Sequence, residues 1–382
     1  MELETRNYKN MPFKSFLMGG FECSTHRDAR GRRLDLIAST RHDEFAEPDY
    51  ARLLDVNIKT CRDGLRWHLI EPEPFRYDFS SLEKQIAAVK TTGMEVVWDY
   101  FHYGYPDDID IFSPEFVERF ESFCREATRF VRSQLPGQLF ICPVNEISFF
   151  SWIAGQVGNF FPAKRYRGNE LKRQLVKAVI TGTRAIRSVD AAARLMITDP
   201  AIHVVSRSKS PSARRAAEAY RRSQFEAFDM LAGLQEPELG GSSETLDILG
   251  LNYYFHNQWH HPSRRKIHRG QDIYRPLADI LQEFHERYGK PMVIAETGIE
   301  DDDRADWFRY VCEQTSLARQ RLISVHGVCL YPIVNHPGWA DDRHCHNGLW
   351  DYADDSGHRE IYEPLASEIR YQNSLLSDAA KA

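Results

Sequence analysis

Two short stretches hold the residues best suited to chemistry: Pro143-Val144-Asn145-Glu146 and Ile294-Ala295-Glu296-Thr297-Gly298. Each sets one glutamate at the end of an apolar run. A pair of carboxyl groups can divide the work of breaking a glycosidic bond. One, protonated, gives its proton to the leaving oxygen; the other, ionised, attacks the anomeric carbon. In the retaining form of this reaction the two groups stand about 5–5.5 Å apart. A single glutamate after a strand is most often a loop carboxylate, so the reading rests on there being two in matched positions.

The elements that must position them follow from the pattern of apolar runs. Eight runs read as strands buried on both faces: Phe16–Cys23, Ile58–Leu65, Glu95–Phe101, Leu139–Val144, Arg194–Thr198, Leu246–Leu251, Met292–Ala295 and Gly327–Tyr331. They lack the alternation of a half-exposed sheet, as parallel strands do. Amphipathic stretches lie between them. Ser81 is placed to cap a helix bearing Leu82, Ile86 and Val89, with Gly93 as its stop. Ser113-Pro114-Glu115 opens another, with Phe116, Phe120, Phe123, Ala127 and Phe130 at helical spacing. Glu170–Arg187 and Arg304–Arg321 read as further helices, and Ser206–Ser243 as a long helix with its loop. Strand and helix alternating eight times predict an α/β fold, a single (β/α)8 TIM barrel filling residues 1–382 as one catalytic domain. In such a barrel functional groups sit at the C-terminal strand ends, where Glu146 and Glu296 fall. No G-x-G-x-x-G, P-loop or G-x-S-x-G is present.

Composition narrows the classes. The chain has 382 residues, 42% hydrophobic, with a formal net charge of −6. It can fill a large core, and it gives no reason to expect nucleic acid or an anionic membrane as partner. The seven cysteines stand singly, without a C-x-x-C, which favours free thiols in a reducing compartment. Met1–Asn10 shows no apolar signal segment and no run is long enough to span a membrane, so a cytoplasmic location is expected. Nothing sets the oligomeric state. The basic segment Ser263–Gly270 reads as a solvated loop, and Asp107, Asp108 and Asp110 as an acidic rim. Asp341–His346 lacks zinc-ligand spacing, and alternation along the chain would splay its side chains. No metal and no cofactor are expected; His42 stays unassigned.

Several motifs together resemble glycoside hydrolase family 1, within the barrel glycosidases whose catalytic glutamates lie on strands four and seven. They are Asn145-Glu146, Glu296-Thr297-Gly298 and Leu249-Gly250-Leu251-Asn252-Tyr253-Tyr254. Phe16-Leu17-Met18-Gly19 is similar to the family's F-L-W-G. Arg62, Trp67, Ile70 and Pro72 match its strand-two pattern, and Tyr100–Pro106 its L-Y-H-W-D-L-P. Tyr331–Asn335, Trp339 and Gly348-Leu349 follow its strand-eight region. The resemblance implies Glu146 as acid/base and Glu296 as nucleophile of a retaining β-glycosidase acting on a carbohydrate substrate. It implies Arg62 and Tyr254 beside Glu296, and Asn145 on the sugar 2-hydroxyl. His102, Asn252, Tyr331, Trp339 and His26 complete the expected sugar site.

The chain departs from the family too. Ile147 replaces the proline after N-E, His26 stands near the strand-one glutamine, and the glutamate of N-F-E-W is missing from Asn335–Trp339. The same two glutamates would also serve a transglycosidase. A non-catalytic sugar-binding barrel is the reading of another class.

Overall fold

The computed structural model describes residues 12–381. Eight parallel strands close into a barrel: β1 Leu17–Gly20, β2 Thr60–Gly64, β3 Glu95–Asp99, β4 Phe140–Cys142, β5 Arg194–Pro200, β6 Ile248–Asn252, β7 Met292–Thr297 and β8 Val325–Leu330. Each pairs with its sequence neighbours, and β1 closes the ring against β8. A helix of ten or more residues, or a pair of shorter ones, follows every strand. The expected fold and the eight expected strands are all present, with ends shifted by a few residues.

The apolar runs are continuous because each strand faces two hydrophobic layers. Met18, Val97, Phe140, Met196, Ile248, Val293 and Cys329 fill the barrel interior, with Phe13 among them. Their neighbours Leu17, Trp98, Ile141, Ile197, Leu249, Ile294 and Val328 pack outward in the larger cluster that includes the helices. Continuing the alternation upward brings Arg62, Asp99, Thr198, Asn252 and Tyr331 to the inside, as a polar layer over the apolar plug.

Glu296 breaks this alternation. Val293 and Ala295 point inward, so strict pleating would turn Glu296 out. Between β7 and β6, Ile294 pairs with Leu251 but Glu296 pairs with the next residue, Asn252. Between β7 and β8, Ile294 pairs with Val328 and Thr297 with Leu330. On both edges β7 carries one extra residue, and such a bulge re-aims the side chain that follows.

Three local expectations need correction. Ser81 does not cap a helix: Ser80–Leu82 is a 3-10 turn, the helix Glu83–Thr92 starts from Leu82, and the Ser81 hydroxyl has no partner. The long helix expected over Ser206–Ser243 is broken into Pro211–Arg222 and Glu226–Leu231. Between them Gln224 turns inward, and its Oε1 accepts a 2.8 Å hydrogen bond from the Ile202 amide. Ser263–Gly270 is not wholly loop: Arg265–Lys266 pairs antiparallel with Gln258–His261, beside His203–Ser206.

His42 proves to be structural. Its ring is buried between Asp49 (Nδ1 to Oδ2, 2.8 Å) and Asp63 (Nε2 to Oδ2, 2.9 Å). Arg359 grips Asp49 from the C-terminal segment at 2.7 and 3.0 Å. Burial opposes the His42 cation, but the Asp63 and Asp49 carboxylates outweigh it and push the pKa up to about 9. A pKa raised on folding stabilises the folded state fully below the unfolded value of 6.5, and this contribution is lost as pH rises through about 9. The difference in denaturation midpoint between wild type and His42→Gln is therefore expected to be large at pH 6 and to shrink by pH 10. A difference independent of pH would show that His42 is buried neutral.

Candidate active site

Glu146 and Glu296 line one cavity of about 850 Å³ at the C-terminal mouth of the barrel. The two elements that deliver them are unlike each other. Glu296 is turned inward by the β7 bulge. Glu146 follows β4, with its amide donating to the Thr198 carbonyl at 3.1 Å. Its backbone lies in the left-handed region (φ 50°, ψ 65°), as does that of Tyr103 (φ 65°). For residues with a side chain this costs about 1–2 kcal/mol each.

The partners of the two carboxyls set them apart. Arg62 donates to Glu296 Oε1 at 3.1 Å, and the Tyr254 hydroxyl donates to its Oε2 at 2.9 Å. The guanidinium is shared, however: its second nitrogen binds Asp99 at 2.6 Å. Burial raises the Glu296 pKa, and the Arg62 and His102 charges pull against it without cancelling it. Glu146 has no cation. The Tyr103 hydroxyl donates to its Oε2. Burial, then the Glu296 charge, drives the Glu146 pKa up to about 8, against the hydrogen bonds from Tyr103 and Asn252. Within the pair, the geometry biases the proton toward Glu146 and the charge toward Glu296, the one that has a cation beside it.

Asn145 lies beneath this pair. Its Nδ2 donates to the Tyr103 hydroxyl at 3.1 Å, and its Oδ1 accepts from Thr198 (2.7 Å) and Arg62 (3.2 Å). The residue is fully buried and does not reach the cavity wall. Its amide orients Tyr103, which orients Glu146. His102 lines the cavity with Nδ1 on Asp99 at 3.1 Å. Burial lowers its pKa, but the Asp99 hydrogen bond and the Glu22, Asp99 and Glu296 charges raise it overall. The Tyr331 ring lies on the cavity wall, nearly parallel to His102 at 6.0 Å, with the Arg62 guanidinium 5.3 Å from its centroid. Gly20 makes room for it, since a Cβ there would fall 2.1 Å from a ring carbon. Trp339 lines the cavity edge-on to Tyr103. Asn252 lies beside Glu146, and its Nδ2 reaches Asn145 Oδ1 at 3.4 Å.

Arg62, Asn145 and Asn252 lie off the cavity wall but within the hydrogen-bonded layer beneath it, whereas His26 belongs to neither. It is buried against Phe160, ring on ring at 4.0 Å, and is absent from the cavity lining. Burial drops its pKa to about 4, so the ring is a neutral packing element. The strand-one residue that lines the cavity is Glu22, four positions earlier. Its Oε1 accepts from the Ser24 amide at 2.9 Å and lies 3.9 Å from His102 Nε2. Burial raises its pKa, yet the His102 and His336 charges and the Ser24 hydrogen bonds hold it below the usual carboxylate range.

Sequence reasoning missed Glu22, Asp99 and Tyr103. Tyr103 adjoins His102, so a search one residue further would have found it. The polar ends of runs one and three held the signal for the two acids. Among the described residues two groups of donor atoms have metal-like closeness: Cys23, Asp99 and His102, and His344, His346 and Asp351. In the first, Asp99 is already paired with the Arg62 cation at 2.6 Å, which disfavours a second positive charge. In the second, the side chains do not splay as expected. The two histidine rings stack at 4.5 Å, and His344 Nε2 meets Asp351 at 2.6 Å. All seven cysteines are free and buried. Among the described residues no helix is long and apolar enough to cross a membrane.

If the Glu296 charge helps to hold the proton on Glu146, Glu296→Gln will lower the Glu146 pKa toward its ordinary value while leaving it raised by burial. Carboxyl titration by infrared or carbon-13 spectroscopy reads this. An unmoved Glu146 titration would mean that the two groups do not interact.

No protein-family model matches the chain, and no curated protein matches its sequence. Solved structures do match. The β-glucosidase from Thermotoga maritima in complex with glucoimidazole superposes at TM-score 0.76 and 15% identity, over 96% of this chain and 99% of that one. The same organism's family 1 β-glucosidase gives 0.75 at 15% identity, over 97% and 98%. Its complex with deoxynojirimycin gives 0.73 at 16% identity, over 97% and 99%. Across nearly its whole described length, this chain shares the fold of the family 1 β-glucosidases.

Proposed function

We propose that the protein is a retaining β-glycosidase, with Glu146 as acid/base and Glu296 as nucleophile. The observation that carries the reading is one cavity lined by two buried carboxyl groups whose partners differ. Glu296 meets a guanidinium and a phenol, whereas Glu146 meets no cation and is pushed up to about 8. Similarity in fold to β-glucosidases solved with glucoimidazole and deoxynojirimycin supports it.

In the first step Glu296 attacks the anomeric carbon. The bond from that carbon to the leaving oxygen breaks, and the oxygen takes the proton of Glu146. In the second, the Glu146 carboxylate removes a proton from water. The water oxygen bonds the same carbon, and the ester to Glu296 breaks. The Tyr103 and Asn145 chain would steady Glu146 through both steps. Arg62 and Tyr254 would release and recover the Glu296 carboxylate. His102, Glu22, Tyr331 and Trp339 would hold the sugar, with Glu22 accepting hydrogen bonds from its hydroxyls. The location of the enzyme follows the expectation from its free thiols, the cytoplasm.

A panel of nitrophenyl glycosides tests the reading. Turnover of a β-glycoside is expected, with kcat/KM falling above about pH 8 as Glu146 loses its proton. Glu146→Gln should cost about 10²–10⁴-fold with a poor leaving group. Glu296→Ala should abolish turnover, and azide should partly restore it. Sugar binding without turnover of any substrate would favour a carbohydrate-binding barrel instead.

Glu22→Gln keeps the shape and removes the charge. It should raise KM more than it lowers kcat, and it should move the acidic limb of the profile down, since Glu22 helps to raise the Glu296 pKa. An unchanged profile would place Glu22 outside the working site.

A further inference from the structure

Element order divides the cavity wall into two ends. Glu22 after β1, His102 on the β3 loop, and Tyr331, His336 and Trp339 after β8 form one. Loops after β4 and β6 form the other, with Trp152, Phe255, His256, Arg264 and Lys266, and the Phe149 ring, 6.4 Å from that of Trp339, lies where the two meet. Glu146 stands at the top of β4, on the second end. If Glu146 protonates the leaving oxygen, as proposed above, the leaving group departs over this end. The inference that follows rests on that reading.

The second end carries two cations that have no carboxylate partner among the described residues. Arg264 and Lys266 come from the hairpin that follows β6. The Arg264 guanidinium lies over the Trp152 ring at 4.6 Å, and the Lys266 ammonium over the Phe255 ring at 4.4 Å. Both rings also line the cavity. Among the described residues neither cation has a carboxylate within 4.0 Å, whereas the cavity's Lys172 is paired with Glu226 at 2.5 Å. Glu300, another acid of the cavity wall, is taken by Arg343 at 2.6 Å. His256, parallel to Tyr254 at 5.5 Å, adds no charge: burial and then the Lys266 cation lower its pKa to about 4. A guanidinium held over an indole by its cation–π contact still has N–H groups to offer an anion. The two rings offer flat apolar contact beside them.

We propose that Arg264 and Lys266 select the leaving group: the favoured substrates are β-glycosides whose aglycone is flat or apolar and carries an anionic oxygen group. The hairpin is thus a specificity element, with no part in bond breaking.

The test compares 4-nitrophenyl with 3-carboxy-4-nitrophenyl glycosides on a sugar that the enzyme turns over. The two phenols are of similar acidity, so chemistry at the leaving oxygen is matched. Wild type should favour the carboxylated substrate by about tenfold in kcat/KM, as two solvent-facing charge contacts allow. In the double variant R264Q/K266Q this preference should vanish while turnover of the neutral substrate holds. High salt should erode the preference in wild type alone. A wild type that shows no preference, or a variant that keeps it, overturns the proposal. If wild type turns over neither glycoside, the glycosidase reading fails by itself. Equilibrium dialysis of 3-carboxy-4-nitrophenol then decides the anion site: binding lost in the double variant supports it, and equal binding overturns it.

Discussion

A single buried guanidinium organises the mouth of this barrel. Arg62 is fully excluded from water at the top of β2, where an uncompensated charge could not be kept. Two carboxylates answer it, Asp99 at 2.6 Å and Glu296 at 3.1 Å, together with the Ala295 carbonyl at 2.8 Å and the Asn145 amide oxygen at 3.2 Å. One side chain thereby ties together the ends of β2, β3, β4 and β7. Removing one partner of such a buried pair typically costs about 3–5 kcal/mol, so the strands cannot drift independently. One positive charge cannot fully neutralise two negative ones, however. The shorter contact goes to Asp99, and Glu296 is left with its pKa raised. The ion pair that fixes the Glu296 carboxylate in space therefore holds it only in part, and a group held in that way can accept a bond and later give it up.

The contrast with Glu146 follows from the same layer. Arg62 is already engaged, and the polar groups that reach Glu146 are neutral. A phenol and an amide orient it without drawing off its proton. The two carboxyl groups differ in what lies below each of them, and distance from Arg62 is the variable that decides.

The barrel was legible because its signal is redundant. Eight runs facing apolar layers on both sides cannot be much else, and an error of two residues at one end does not alter the topology. That Glu146 and Glu296 would meet at one cavity was legible because both lie where strands stop. What stayed hidden depends on a single residue of register. His26 and Glu22 are four positions apart on the loop after β1, and motif spacing favoured the one that packs on Phe160 over the one that faces the cavity. The β7 bulge leaves no trace in composition; simple alternation would have turned Glu296 outward. Arg264 and Lys266 looked like a solvated loop because cations are common there, and only the fold shows which rings they lie on. The Ser81 cap failed for a related reason. A hydroxyl in the right place in sequence is no cap unless the first turn is α-helical, and here it is 3-10.

With the role proposed for Glu146, the left-handed backbone at this position sets thermal robustness against activity. Only glycine is at ease with φ near 50°, so replacing Glu146 by glycine would relax the chain, and it would also free a buried carboxyl from an environment that resists its charge. Selection for a sturdier molecule alone would discard this glutamate early. On that proposed role, a glycine or asparagine at 146 in descendants of this protein would mark a lineage that has given up its chemistry and kept its shape.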